Sequence, residues 1–549
     1  MSQIKVSNLT FSYDTNYENI FENVSFEIDT DWKLGFIGRN GRGKTTFLNL
    51  LQGKYKYGGT ITSPVSFDYF PFEVKQRDTE KDNKDYLSNG SESTELKQAI
   101  DEEENTLYII KNIIAPFSKW EEEMNLYIKE NTEKSMIEYG KILDLYMSHD
   151  GYIIDELIEK EIRKLDVEVD VLERGFNTLS NGERTKLMLA ALFLKKNNFL
   201  LIDEPTNHLD IEGRDSVAKY LNSKKGFILV SHDRHFVDKI VDHIISINKN
   251  DIEIQKGNFT SWNYNRELQD NYEIAQNDKL KKEIKSLEES FRRSKGWSDL
   301  VEKSKIGEHV YDRGAVGAQA ARMMKKAKNI EHRKEKAIED KKKLLKNIER
   351  ADDLKIHPQA YLKTNYINID NLSINYGDKK IFDELSFTVN EGDRVALRGK
   401  NGCGKSSIIK LILGEGISYE GNVNIGNQLT MSYISQDTSH LRGSFKEYVE
   451  SEAIDESLFR AILSKLDFNP NSIEKDLSEL SAGQKKKVLI AKSLSQKANL
   501  YIWDEPLNYI DIISRMQIER LILEYNPTMI FVEHDYMFNE NIATKVVKL

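Results

Sequence analysis

The stretch Lys33–Leu51 reads KLGFIGRNGRGKTTFLNLL. It opens on an apolar run short enough for a strand, passes through a glycine-rich turn and closes on apolar residues at helical spacing. The turn has the form G-x-x-x-x-G-K-[ST]. Its glycines let backbone N–H groups curl around an anion, and the N-terminus of the helix that follows adds its dipole. The same order returns at Arg394–Ile412, RVALRGKNGCGKSSIIKLI. Two copies in register imply two phosphate-binding loops in an α/β chain. Gly38, Asn40, Gly41, Gly43, Lys44, Thr45 and Thr46 belong to the first loop. Gly399, Asn401, Gly402, Gly404, Lys405, Ser406 and Ser407 belong to the second. Lys44 and Lys405 are expected to hold the β- and γ-phosphates of a nucleotide, and Thr45 and Ser406 to ligate Mg²⁺.

Working outward, the rest of the 549-residue chain repeats in the same order. LSNGERTKLMLAALFL from Leu179 matches LSAGQKKKVLIAKSLS from Leu480. NNFLLIDEPTNHLD from Asn197 matches ANLYIWDEPLNYID from Ala498, and GFILVSHDRHF from Gly226 matches TMIFVEHDYMF from Thr528. A duplicated domain follows, over about 1–263 and 357–549. The copies differ in one span: Phe72 to Leu179 covers 107 residues, whereas the matching Gln436 to Leu480 covers 44. The first copy therefore carries an insertion at about 76–172. Gln76–Glu104, with ten acidic and four basic residues, reads as a loop or frayed helix, and Leu107–Leu172 as a helical subdomain.

Between the copies no proline occurs from Thr206 until Pro358. Leu280, Ile284, Leu287 and Phe291 mark one narrow apolar seam, and Ile330, Ala337, Leu344 and Ile348 another. The pattern predicts an antiparallel helical hairpin over 264–356, with its tip at about 295–316. A helix of ~30 residues carries such a tip ~45 Å from its base. The whole chain has a net charge of −10, yet Arg292–Lys328 holds ten basic and four acidic residues. A basic patch on an acidic chain points to an anionic partner met at that patch. No apolar run reaches bilayer length, and the N-terminus lacks the apolar core of a signal peptide, so a cytoplasmic location is expected. The single cysteine, Cys403, excludes an intrachain disulfide and a cysteine-based zinc site.

The other repeated blocks carry chemistry. LLIDEP and YIWDEP are apolar strands that end in paired carboxylates. Asp203 and Asp504 are expected to orient the Mg²⁺ shell, and Glu204 and Glu505 to polarise the attacking water. His232 and His534 follow strands at matching distances and are expected to contact the γ-phosphate. LSNGE and LSAGQ open helices, so Ser180, Gly182 and Glu183, and Ser481, Gly483 and Gln484, can present polar groups to a phosphate.

This set of motifs resembles the ATP-binding cassette superfamily. The resemblance implies two tandem ATP-binding cassette domains that close head to tail within a monomer, each ATP lying between the P-loop of one and the signature of the other. It places Tyr13 and Tyr376 on adenine and Gln436 on Mg²⁺. Phe72 stands where the first copy would carry that glutamine, and Asn181 where the signature favours glycine. Two cassettes joined by a long helical hairpin, with no membrane domain, resemble the ABC-F family of ribosome-associated ATPases. In that family the linker lies beside the P-site transfer RNA and points toward the peptidyl transferase centre. Arg292, Arg293, Lys295, Lys325, Lys326 and Lys328 are then expected to meet RNA phosphates, with Val310 and Tyr311 at the apex near 23S rRNA. VYDRGAVGA, WDEPLNYID and VEHD look like the Lsa-type branch, which protects ribosomes from lincosamides, streptogramin A and pleuromutilins. The alternatives are a housekeeping translation factor acting on stalled ribosomes without a drug role, a transporter ATPase, and a chromosome ATPase of the SMC kind.

Overall fold

The computed structural model describes residues 2–13, 19–72, 105–207, 209–247, 252–303, 325, 332–333, 336, 354–376, 379–400 and 402–549. Its chain divides into two compact units, one formed by Met1–Phe259 with Ala351–Leu549 and the other by Thr260–Arg350.

In the first unit each half of the chain builds a parallel sheet around its P-loop strand. The N-terminal sheet runs Ser66–Phe70, Asn198–Asp203, Phe227–Val230, Lys33–Ile37, His243–Ile247 and Ile252–Lys256, with only the last strand antiparallel. The C-terminal sheet runs Met431–Ile434, Leu500–Asp504, Met529–Val532, Arg394–Arg398 and Lys545–Lys548. Strands such as FILV at Phe227–Val230 and LYIWD at Leu500–Asp504 are buried throughout, as expected of parallel strands covered on both faces. A smaller antiparallel sheet accompanies each: Phe21–Asp29, Gln3–Phe11 and Gly58–Thr62 in the first half, and Lys379–Asn390, Asn365–Tyr376 and Tyr419–Ile425 in the second. The order places the P-loop strand two positions from the strand that ends in Asp-Glu. Ligands bind at the carboxyl ends of such strands, and both motifs meet there.

Among the described residues the insertion contributes four α-helices, Thr106–Ile114, Phe117–Glu130, Glu133–Ser148 and Ile154–Arg163. Phe117 meets Trp120 and Tyr146 edge to face. Glu161 fastens this subdomain to the cassette through the Tyr220 hydroxyl at 2.7 Å and through Lys224. The stretch 76–104, expected to be a loop or frayed helix, lies outside the described residues.

The second unit contains a continuous 45-residue helix, Phe259–Lys303. At 1.5 Å per residue it is ~68 Å long. It runs through residues 295–303, which the sequence reading assigned to the tip. Ser294–Lys303 holds one helix breaker, Gly296, and a single glycine costs only ~1 kcal/mol inside a helix.

Candidate functional site

Each P-loop closes on a glycine in the left-handed region, Gly43 at φ 92° and Gly404 at φ 100°, which caps the helix behind it. Lys44 Nζ donates to the carbonyls of Gly38 (2.6 Å) and Arg39 (3.2 Å), and Lys405 Nζ to those of Gly399 (2.9 Å) and Lys400 (3.0 Å). These ammonium groups are held over their own loops, where phosphate oxygens can replace the carbonyls. Thr45 Oγ1 lies 3.5 Å from Asp203 Oδ2, and Ser406 Oγ lies 3.2 Å from Asp504 Oδ2. A hydroxyl and a carboxylate thus converge at each P-loop. At the first, the Tyr69 hydroxyl also donates to Asp203 Oδ2 at 2.7 Å.

Glu204 and Glu505 both sit in the left-handed region, at φ 50° and 49°. Non-glycine residues rarely occupy it, and such strain gathers at functional sites. Strand pairing holds the turn: Glu204 N–H donates to Val230 O (2.8 Å) and Glu505 N–H to Val532 O (3.0 Å).

The surroundings of the two glutamates differ. Glu505 accepts from Gln436 Nε2 (2.9 Å) and Asn508 Nδ2 (2.7 Å) on one oxygen, and faces His534 Nε2 at 3.3 Å with the other. Lys486 is buried nearby, donating to Ser435 O at 3.0 Å. Burial alone would raise the Glu505 carboxyl, but the bonds from His534 and Gln436 and the Lys486 charge hold it below the ordinary carboxylate range. Glu204 has Phe72 and Thr185 at the positions of Gln436 and Lys486. Its Oε1 is buried without a hydrogen bond, with His232 Nε2 3.5 Å away. Burial, reinforced by the Asp203 charge, pushes Glu204 up to about 8. Burial and the Lys44 and Arg515 charges hold His232 well below its usual range, hence neutral.

The two cassettes meet within the first unit. Asn40 of the first P-loop donates through Nδ2 to Tyr509 O (2.8 Å), and its N–H points at Asp511 Oδ2 (3.5 Å). A Cβ on Gly483 would stand 2.7 Å from Tyr509 O and 3.4 Å from Asn40 Nδ2, so the second signature lies against the first P-loop and requires glycine there. Asp511 is buried, which would raise it. The charges of Lys487 and of Lys44 across the seam bring it down to about 2 instead. On the opposite side Lys400 of the second P-loop approaches Glu212 at 3.5 Å, both exposed.

The signature serines cap their helices. Ser180 Oγ accepts from Glu183 N–H and donates to Glu183 Oε2 at 2.7 Å, so in the first signature the hydroxyl proton is taken by a carboxylate. In the second, Gln484 Oε1 accepts from the Ser481 backbone N–H (3.0 Å) while its Nε2 turns to Ser472 (3.0 Å). Tyr13 packs edge to face on Phe11 and Tyr55, with its hydroxyl 2.8 Å from Thr46 Oγ1. Of the remaining candidates, Lys325 is helical and exposed. Asn401, Val310, Tyr311, Lys326 and Lys328 lie outside the described residues, as do the side chains of Tyr376, Arg292, Arg293 and Lys295.

Sequence reasoning missed Tyr69, Lys486, Asn508, Asp511 and Arg214. Aligning Tyr69 with Tyr433, or Thr185 with Lys486, exposes the first two. Asp511 and Arg214 act across the cassette seam, which no local pattern reports.

Fold and site together define a paired P-loop nucleoside triphosphatase. A family model described as ABC transporter matches residues 21–207 and 382–508, more than half of the chain. Among similar proteins, the uncharacterized ABC transporter ATP-binding protein YfmM of Bacillus subtilis (strain 168) is 27% identical over 564 residues, covering 99% of this chain and 98% of that protein. ABC transporter F family member 2 of Arabidopsis thaliana is 25% identical over 563 residues, covering 100% and 76%. The energy-dependent translational throttle protein EttA of Escherichia coli (strain K12) is 25% identical over 542 residues, covering 96% and 89%. The chain belongs to the ABC transporter family, as a tandem ABC ATPase. It is an ATP-hydrolysing enzyme. Among the described residues no helix is long and apolar enough to cross a membrane.

Proposed function

We propose that this ATPase acts on the ribosome: it binds with both cassettes closed on ATP, directs its helical linker toward the P-site transfer RNA and peptidyl transferase centre, and leaves after hydrolysis. The observation that carries this reading is the seam that joins both cassettes inside one chain, with a 45-residue helix between them in sequence. A self-paired engine coupled to a long arm suits a factor that reaches into another assembly. The end-to-end similarity to a protein named a translational throttle, and the basic excess in Arg292–Lys328, support the ribosome as that assembly.

The oxygen pairs of Thr45 with Asp203 and of Ser406 with Asp504 fit a hard cation, and Mg²⁺ held there would supply charge to the β- and γ-phosphates. Glu505 is the general base of the second site and Glu204 that of the first. His534 and His232 sense the γ-phosphate.

The output of the arm is protection from lincosamide, streptogramin A and pleuromutilin antibiotics, a reading that rests on the resemblance of VYDRGAVGA to the Lsa-type branch. Deleting Val310–Gly317 in cells that carry the gene should abolish that protection while leaving isolated ATPase turnover and protein level intact. Full resistance in the deletion strain would favour the second reading, a translation factor without a drug role, which the name of the throttle relative supports. Failure of the ATP-bound protein to co-sediment with ribosomes would overturn both.

A further inference from the structure

The seam holds a contact that pseudo-symmetry does not repeat. Arg214 of the first cassette and Arg515 of the second follow their Asp210 and Asp511 at the same distance in sequence. Each Nε donates to the carbonyl before that aspartate, Arg214 to Leu209 O (3.2 Å) and Arg515 to Ile510 O (2.9 Å). Each Nη1 meets the aspartate after its own histidine, Asp233 at 3.2 Å and Asp535 at 2.9 Å. There the likeness ends. Arg515 spends its other amine on Leu507 O within its own cassette, at 2.9 Å. Arg214 Nη1 donates across the seam to the backbone carbonyl of His534, at 3.2 Å.

His534 is therefore held at three points. Its carbonyl accepts from Arg214, its N–H donates to Glu533 Oε2 at 3.1 Å, and its ring faces Glu505 at 3.3 Å. Glu533 has no counterpart in the first cassette, where Ser231 stands, and its other oxygen accepts from Leu507 N–H at 2.7 Å. Two further contacts keep this part of the seam in register. Arg234 of the first cassette is paired with Glu519 of the second, and His235 stacks on Tyr536 with centroids 4.7 Å apart. A polar cavity of about 30 Å³, lined by Glu204, His232 and Arg214 on one side and by Glu533, His534 and Arg515 on the other, lies between the two sites.

We infer that Arg214 is a cross-cassette positioning residue: by bonding Leu209 O, Asp233 and His534 O at once, it makes the placement of the second site's histidine depend on the loops of the first cassette. The hydrogen-bonded link runs one way among the described residues: Arg515 returns no such bond and reaches Glu204 and His232 through its charge alone. It rests on the reading of His534 and Glu505 as the working pair of the second site.

The test uses the full chain in a Glu204→Gln background, where turnover comes from the second site. Arg214→Lys keeps a cation beside Asp233 but loses the rigid planar fork that reaches Leu209 O, Asp233 and His534 O together. It should lower kcat about tenfold with KM for ATP changed less than about twofold, the pattern of an interaction made in the transition state. In a Glu505→Gln background the same substitution should cost less than about threefold. His534→Ala alone must reduce second-site turnover, and adding Arg214→Lys to it should cost little more, since both act on one element. Additive losses, a loss confined to the first site, or a lowered melting temperature with unchanged kcat would overturn the relay. An unimpaired His534→Ala enzyme would instead overturn the underlying assignment of that histidine. Arg214→Met, measured in parallel for nucleotide binding and melting temperature, separates misfolding from mispositioning.

Discussion

The two candidate ATP sites share a left-handed P-loop glycine and a left-handed turn at the glutamate, and differ in what surrounds that carboxylate. At Glu505 a glutamine, an asparagine and a histidine face the two oxygens, and a buried lysine stands behind them. At Glu204 the glutamine position is Phe72, the lysine position is Thr185, and one buried oxygen has no hydrogen bond. The strained left-handed turn is kept at both. Backbone geometry delivers a glutamate to the right place, but the neighbours decide whether it is charged when it arrives. An uncharged glutamate cannot accept a proton, so the second site is expected to turn over faster than the first.

The largest effect separates the two sites directly. Glu505→Gln should remove about nine-tenths of the ATP turnover and Glu204→Gln less than about half. The double substitution should approach the loss of ~10²–10⁴ typical of a missing general base. Steady-state phosphate release measures all three. Equal losses from the single variants would erase the distinction.

A pH profile sharpens it. Glu204 sits at about 8, so below that pH its carboxyl is largely protonated and idle. In the Glu505→Gln enzyme, turnover should rise about tenfold from pH 7 to 9 as this base ionises. In the Glu204→Gln enzyme it should stay flat over the same range, because Glu505 is already ionised at neutral pH. The sign for stability is the reverse. A carboxyl raised in the folded state favours folding least when it must ionise, so this group costs stability progressively from about pH 4.5 toward 8. A first-site profile that is flat from pH 7 to 9 would show that closure around ATP resets the group.

The smallest expected effect is a repair. Phe72→Gln returns an amide where Gln436 serves the other site and should speed the first site about threefold, short of the full worth of a hydrogen bond to a charged group. No gain, measured in the Glu505→Gln background, would place the deficit at Thr185 instead.

Much of this was legible before the structure. The repeated G-x-x-x-x-G-K-[ST], Asp-Glu and His-Asp blocks are local, and each depends on a strand or helix whose periodicity is written beside it. Phe72 stood out because its repeat partner is a glutamine. The tip was placed at about 295–316, whereas the helix continues to Lys303, since the one glycine in that stretch, Gly296, does not end it. The ionisation of Glu204 was hidden for a different reason. It depends first on burial, reinforced by Asp203 and opposed by Arg515 more than three hundred residues away, and no sequence window reports how deeply a side chain is buried. Tyr69 on Asp203 was hidden by the ordinariness of a tyrosine in a strand.

Asn40 and Asp511, which face each other across the seam, are separated by 471 residues of chain. A ribosome adding ~5–20 residues per second needs roughly half a minute to a minute and a half to travel that far. For that interval the nascent first cassette owns a finished P-loop but no opposing half. Premature termination anywhere before Asp511 leaves it permanently so. The emerging enzyme is thus an incomplete nucleotide clamp until Asp511 has been made and folded against Asn40.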